Sequence, residues 1–196
     1  MDELIWFSIP GAVISFAVIM VFPDVINTDS KFVAIVFLSP LIGFIIHQSY
    51  RLVFELTGGF ARKSRTVIDR ILKELATEEN ITLKNRESAF MVWEITFYSE
   101  GFPSAFMNHD RGAWHYILSF WSIAFAAILS MLFCILACFT FAPNPNSAIA
   151  AIIEFVVGLI FDYKGLTSYR SLCAQEVAIT HTHKELFVKT LRKINA

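Results

Sequence analysis

Residues 112–153 read GAWHYILSFWSIAFAAILSMLFCILACFTFAPNPNSAIAAII and contain no Asp, Glu, Lys or Arg. Pro143 and Pro145 interrupt this uncharged run, because a proline ring removes a backbone donor and prevents a continuous helix. Two apolar segments result, about Ile117–Phe141 and Ala148–Phe161. The first is long enough to cross a hydrocarbon core of about 30 Å with some tilt. The second has only 14 residues, and its length alone is typical of a re-entrant or buried segment.

Two further uncharged runs lie near the start of the chain, Leu4–Pro23 and Phe32–Tyr50, with 20 and 19 residues. A helix rises about 1.5 Å per residue, so each run matches the thickness of a hydrocarbon core. The polar residues 24–31 between them provide the turn of a helical hairpin. Across the chain 56% of the residues are hydrophobic and 17% are charged, compared with about 25% charged residues in soluble domains. These properties are typical of an integral membrane protein.

The basic residues predict the orientation of these four segments. Nine of the 16 Lys and Arg residues fall in 51–113 and six fall in 163–196, whereas Lys31 is alone in the loop at 24–31. Basic residues beside membrane spans mostly stay in the cytoplasm. Both termini are therefore expected to be cytoplasmic, at a plasma (inner) membrane. If Ala148–Phe161 did not cross, the basic tail would lie outside, so the charge pattern favours a true fourth span.

The predicted fold is an all-α integral membrane protein with four transmembrane helices and a helical cytoplasmic part. It comprises a transmembrane hairpin at 1–50, a cytoplasmic or interfacial helical region at 51–113, a second transmembrane hairpin at 114–162 and a cytoplasmic C-terminal helix at 163–196. Between the second and third spans, an amphipathic helix is expected over Arg65–Glu79, with Ser64 as its N-cap. The long C-terminal helix is expected to continue the fourth span.

The C-terminal helix repeats apolar residues at roughly heptad intervals, which is typical of a helix that packs on a partner. The repeat comprises Leu166, Tyr169, Cys173, Val177, Phe187, Leu191 and Ile194. Its partner is either the 64–98 region of the same chain or a neighbouring subunit, and the sequence leaves both open. Residues 89–98 are apolar but too short to span, and their Trp and Tyr suit the membrane interface.

Four residues at intervals of four define one face of the fourth segment: Ala150, Glu154, Gly158 and Asp162. This face is small and acidic, while bulky apolar residues cover the rest of the helix. An ionisable side chain inside a span costs about 2.5–3.5 kcal/mol, so it usually marks a pathway or an internal partner. We therefore predict that these residues line a pore or form a functional polar face. The alternative is that Glu154 is paired within one subunit.

The third segment has a face of small residues with the same spacing. This face comprises Ser122, Ala126, Ser130 and Cys134. Small residues let helices approach closely in lipid, where dispersion and interhelical hydrogen bonds replace the hydrophobic driving force. The face is predicted to pack helices together, either within one subunit or between subunits.

Histidine and charged residues on the inner side of this topology form a predicted interfacial cluster. The cluster comprises His109, Asp110, Arg111, His115 and His47. Their spacing matches no established set of metal ligands, so no metal or other cofactor is predicted. The chain also lacks the motifs of serine hydrolases, zinc proteases and phosphate-binding loops, so we expect no enzyme. A net charge of −1 gives no field that would attract nucleic acid.

These observations predict a homo-oligomeric pore or channel with a preference for cations. The subunit is too small to enclose a conduit alone, the fourth segment carries an acidic face, and the tail offers an assembly surface. The alternative is a membrane scaffold or accessory protein that recruits a cytoplasmic protein partner, for example in a bacterial stress or phage-defence pathway. In both interpretations the lipid bilayer is the first partner of the chain.

Overall fold

The computed structural model describes residues 2–23, 33, 37–56, 59–81, 86–99, 101–140 and 145–195. These residues form seven helices and no strand, which confirms the prediction of an all-α fold. The helices are α1 (Asp2–Val21), α2 (Ser39–Leu56), α3 (Gly59–Glu78), α4 (Arg86–Phe97), α5 (Ser104–Thr140), α6 (Pro145–Thr182) and α7 (Lys184–Asn195). The predicted turn at 24–31 lies outside the described residues.

Helix α5 is the one helix among the described residues that is long and apolar enough to cross a membrane, judged by length and composition. Its 37 residues correspond to about 55 Å, well above the hydrocarbon thickness of about 30 Å. A shorter apolar helix covers Trp6–Val21. Of the four spans predicted from the sequence, one therefore corresponds to a described helix that is long and apolar enough to cross a membrane.

The chain divides into two compact units. Unit 1 comprises Met1–Val53 and His115–Thr167, and unit 2 comprises Phe54–Trp114 and Ser168–Ala196. Helices α5 and α6 each contribute residues to both units. The boundaries lie at 53/54, 114/115 and 167/168, close to the segment boundaries expected after residues 50, 113 and 162.

Unit 2 has an apolar core in which α3, α4 and α7 pack together. The buried core residues are Ile71, Leu72, Leu75, Val92, Trp93, Phe97, Phe102, Phe187 and Leu191. The ring of Trp93 stacks on Phe187 at a centroid distance of 5.3 Å and on Phe97 at 5.7 Å. The end of the C-terminal region, α7, therefore packs on the 64–98 region of the same chain, which is one of the two partners that the sequence left open.

Two helix boundaries differ from the sequence expectations. Helix α3 begins at Gly59, so Ser64 lies inside the helix and the predicted N-cap is wrong. The residues from Phe60 to Lys63 include no helix breaker, and serine is tolerated in a helix interior. The C-terminal region is two helices, because α6 ends at Thr182 and α7 begins after a turn at His183. This turn lets Phe187 reach the core of unit 2.

The end of α3 is a Schellman motif. Asn80 has a positive φ of 53°, a conformation that asparagine tolerates better than most residues. The amide of Ile81 donates to the carbonyl of Ala76 at 2.8 Å, and the amide of Asn80 donates to that of Thr77 at 3.2 Å. On the surface nearby, Lys184 pairs with Glu78 at 2.7 Å. Solvent screens an exposed pair of this kind and it adds little stability, so the apolar core fixes α7 on α3.

Helices α1 and α2 of unit 1 approach each other at two glycines. A Cβ atom on Gly11 would clash with the backbone carbonyl of Ser39, and a Cβ atom on Gly43 would clash with that of Phe7. The hydroxyl groups of Ser15 and Ser39 lie 3.4 Å apart at the same crossing. Close backbone approach through small residues is typical of helices that pack in lipid.

We expect Gly43→Ala to destabilise the chain by about 1–3 kcal/mol, because the added methyl group must push the two backbones apart. Gly112→Ala is the matched control, since a Cβ atom there meets nothing within 4 Å. In the interior of a helix that change should stabilise by about 0.5–1 kcal/mol. Thermal unfolding in detergent measures both variants. A rise of the unfolding midpoint in Gly43→Ala would contradict the close crossing.

Candidate functional site

The small and acidic face of α6 lies mainly in the interior of unit 1. Ala150, Glu154 and Gly158 are buried, whereas Asp162 is exposed. A Cβ atom on Gly158 would lie 3.5 Å from the Cβ atom of Ala127 on α5. The exposed residues of the same stretch of α6 are Ile152, Ile153, Phe155, Val156, Leu159 and Ile160. In this segment the polar face therefore points toward α5 and the exposed face is apolar.

The face of small residues on α5 is buried within the single chain. Ser122, Ala126, Ser130 and Cys134 are each at most 1% exposed. Ala150 of α6 shares an apolar cluster with Cys134 and with Ala17 of α1. The predicted packing role thus applies within one subunit, because this face is already covered by helices of the same chain.

Glu154 lies at the centre of this packed interface. Its side chain is 2% exposed, and its Oε2 atom has no hydrogen-bond partner among the described residues. The Oγ atom of Ser130 on α5 is likewise buried without a partner there. The thiol of Cys134 interacts electrostatically with the Glu154 carboxyl group. An unsatisfied polar atom in an apolar interior costs about 1–3 kcal/mol, so this arrangement is not explained by packing alone.

The predicted interfacial cluster separates into two parts. His47 of α2 is buried, and its Nδ1 atom lies 3.2 Å from Oγ of Ser122. Because that hydroxyl group donates to the carbonyl of Ser119 at 2.8 Å, His47 is the donor in this contact. His47 also interacts electrostatically with His115. These residues belong to unit 1, whereas His109, Asp110 and Arg111 belong to unit 2.

The metal-ligating side chains do not converge. Within the part of the chain that the structure describes, no group of three or more His, Cys, Asp or Glu residues could hold a metal ion. Zinc and similar ions need three or four such ligands. The histidines instead make helix contacts, such as that of His109 Nε2 with Gln175 Oε1 at 3.0 Å.

Unit 2 contains two carboxyl groups with buried oxygen atoms, in Glu176 and in the half-buried Asp110, and the sequence pattern indicates only Asp110. Glu176 of α6 is 2% exposed, and its Oε2 atom and Oδ1 of Asp110 on α5 both lack hydrogen-bond partners among the described residues. Burial raises the pKa of Glu176 to about 8, and the Asp110 charge adds to this effect. Burial also raises the pKa of Asp110 to about 6, against the opposing influence of His109. At neutral pH the Glu176 carboxyl group is therefore mostly protonated.

The apolar pattern of the tail does not indicate Glu176, because the face that it predicts to be buried lies one residue C-terminal to the face that is buried. The sequence placed Cys173 and Val177 toward the partner, but both are only half-buried. The buried face runs through Leu172, Glu176 and Thr180 at intervals of four. The interval of four residues is present in the sequence, but two of the three buried residues are polar, so the pattern of apolar residues does not indicate this face.

Two polar centres thus stand out, the Glu154 interface in unit 1 and the Asp110–Glu176 pair in unit 2. Comparisons of the chain with protein-family models, with curated proteins and with solved structures give no significant match.

We expect unit 2 to lose stability as pH rises. A carboxyl group whose pKa is raised on folding contributes full stability below its unfolded pKa, near 4.5 for Glu176, and loses it as pH approaches about 8. The loss amounts to at most about 5 kcal/mol. A glutamine side chain cannot ionise, so in Glu176→Gln the unfolding midpoint should decrease less between these pH values than in the wild-type protein. Glu185→Gln, which changes an exposed carboxylate, is the control, and an unchanged pH profile in Glu176→Gln would refute the assignment.

Proposed function

We propose that unit 1 lies in a lipid bilayer and that α1, α2, α5 and α6 provide four spans. The distribution of side chains supports this placement. Large apolar residues are exposed on all four helices, among them Phe16, Leu41, Ile45, Leu132, Leu136, Phe139, Ile152 and Leu159. Polar contacts lie inside, namely Ser15 with Ser39 and His47 with Ser122. Apolar residues outside and polar contacts between helices inside are typical of a helical bundle in a bilayer.

Basic residues support the proposed orientation, with both termini in the cytoplasm of a plasma (inner) membrane, and aromatic residues support the ends of the proposed spans. Trp6 contacts Tyr116 edge to face, with ring centroids 5.5 Å apart. Tyr50 interacts electrostatically with Asp162. Trp and Tyr concentrate at the boundary between membrane and water. These residues come from the ends of the proposed spans that adjoin the basic segments 51–113 and 163–196.

We propose further that the chain is a membrane scaffold or accessory protein that presents unit 2 to a cytoplasmic protein partner. The observation that carries this proposal is the inward orientation of Ala150, Glu154 and Gly158, because a lumen between subunits would need an exposed polar face. Unit 2 has its own core and a surface depression of about 300 Å³ between α5 and α6. The depression is lined by Phe106, His109, Gln175, Ala178, Ile179 and Thr182.

A photoreactive residue in place of Ala178, which is exposed beside this depression, tests the scaffold proposal in native cells. We expect irradiation to crosslink one recurring cytoplasmic protein to the chain. The same residue in place of Ala148 is the control, because Ala148 is exposed at the opposite end of the proposed fourth span. Crosslinks from both positions to the same protein, or only self-crosslinks from Ala178, would contradict the scaffold proposal.

The second candidate is the homo-oligomeric, cation-preferring pore, and Glu154 is the residue that favours it. A buried carboxyl group with an unpartnered oxygen fits a site where a cation or proton passes through the bundle. Subunits would then associate through the exposed apolar residues, because the small face of α5 is buried within the chain.

If Glu154 serves conduction, Glu154→Gln should keep the fold and lower cation current several-fold in planar bilayers, since the shape remains and the charge is lost. Glu154→Leu controls for packing, because it keeps similar bulk without any polar atom. A structural role would leave currents unchanged in Glu154→Gln and lower the unfolding midpoint only in Glu154→Leu. That result would exclude the pore.

A further inference from the structure

Helix α4 and Tyr98, which follows it and whose amide donates to the carbonyl of Glu94 at 2.9 Å, expose three apolar residues on one side. These residues, Met91, Ile95 and Tyr98, we call the α4 outer face. Their exposed fractions are 52%, 47% and 59%. Spacings of four and three residues place the three side chains on the same side of a helix. We propose that the α4 outer face docks on the headgroup region of the cytoplasmic leaflet of the membrane. This proposal rests on the proposed placement of unit 1 in the bilayer.

The opposite face of α4 fixes this orientation. Val92, Trp93 and Phe97 are buried in the core of unit 2, and Thr96 is fully buried as well. The helix cannot rotate without pulling these side chains out of the core. Trp93, which the sequence analysis placed at the membrane interface, is therefore a core residue, and the outer face is always presented.

Arg111 connects the α4 outer face with the apolar part of α5. Its guanidinium carbon lies 5.5 Å from the centroid of the Tyr98 ring. Arg111 is also the last charged residue of α5 before the uncharged residues 112–140. Tyr98 consequently lies beside the boundary between the charged and the uncharged residues of α5. This is the level at which tyrosine rings concentrate and at which arginine side chains reach phosphate groups.

The chemistry of the face matches a lipid headgroup layer. An interfacial helix buries its apolar face about 5–10 Å into the boundary of headgroups and acyl chains. Met91 and Tyr98 occupy the centre of the outer face, and the guanidinium group of Arg111 supplies a cation for lipid phosphate. Glu94 is exposed at the edge of the face, where its carboxylate can remain in water.

Photocrosslinking in nanodiscs of phosphatidylethanolamine and phosphatidylglycerol tests the docking. p-Benzoylphenylalanine replaces Met91 or Tyr98 in the full chain, and intact mass after irradiation identifies any adduct. We expect phospholipid adducts from both positions. Leu136, exposed on the proposed third span, is the positive control, and Glu74, exposed on α3, is the negative control. Replacing Tyr98 exchanges one exposed aromatic residue for another, so that variant should keep its unfolding midpoint.

The controls separate the two proposals. If position 136 forms lipid adducts and positions 91 and 98 form none, the docking is wrong and the bilayer placement stands. If position 136 forms none, the bilayer placement fails and the docking fails with it. Adducts from positions 91 and 98 to a second copy of the chain, or to another protein, would also overturn the lipid assignment.

Arg111 variants test the contribution of charge. In the Tyr98 photoreactive variant, Arg111→Gln should lower the share of phosphatidylglycerol adducts several-fold, because the cation that attracts anionic headgroups is lost. Arg111→Lys keeps the charge and should retain the share. An equal share in all three proteins would overturn the assignment of Arg111 as a headgroup ligand.

Discussion

Close packing of small residues between α5 and α6 is the constraint on which unit 1 depends. Gly158 leaves room for Ala127, and Ser130 and Cys134 lie in the same buried face of α5. Close approach increases the dispersion contacts between the two helices. These contacts are the main attraction between helices whose surroundings are as apolar as their own surfaces. The same approach carries Glu154 into the interior, so the carboxyl group is buried as a consequence of how the two helices meet.

The two units are stabilised in opposite ways. Unit 2 hides aromatic and aliphatic residues such as Trp93 and Phe187 and relies on the hydrophobic effect. Unit 1 hides serine, histidine and glutamate side chains and exposes large apolar ones. Water as solvent accounts for the first arrangement, and the bilayer that we propose around unit 1 would account for the second. Helices α5 and α6 contribute to both units, so each changes its buried residue types along its length.

Buried carboxyl groups occur in both units, and each has an oxygen without a partner among the described residues, in Glu154 and in Glu176. In unit 2 the Asp110 charge on α5 acts on the buried Glu176 of α6, and a neutral Glu176 avoids a second negative charge near it. This interaction links the packing of α5 and α6 in unit 2 to pH.

Local composition and periodicity determined much of this protein. Helices were predictable from two signals, the uncharged run at 112–153 and the amphipathic pattern of α3, and the interruption between helices was predictable from Pro143 and Pro145. All of these signals depend on residues within a few helical turns of each other. The spacing of Ser122, Ala126, Ser130 and Cys134 also predicted a packing face, and all four residues are buried.

The tertiary structure alone decided which neighbours these faces meet. The tail packs on α3 and α4 of its own chain, Trp93 belongs to a core, and Glu176 faces Asp110. A helical pattern states which residues share a face and contains no information about the partner of that face. The partner depends on contacts between residues far apart in sequence, such as Trp93 with Phe187, and these are set only when the helices pack.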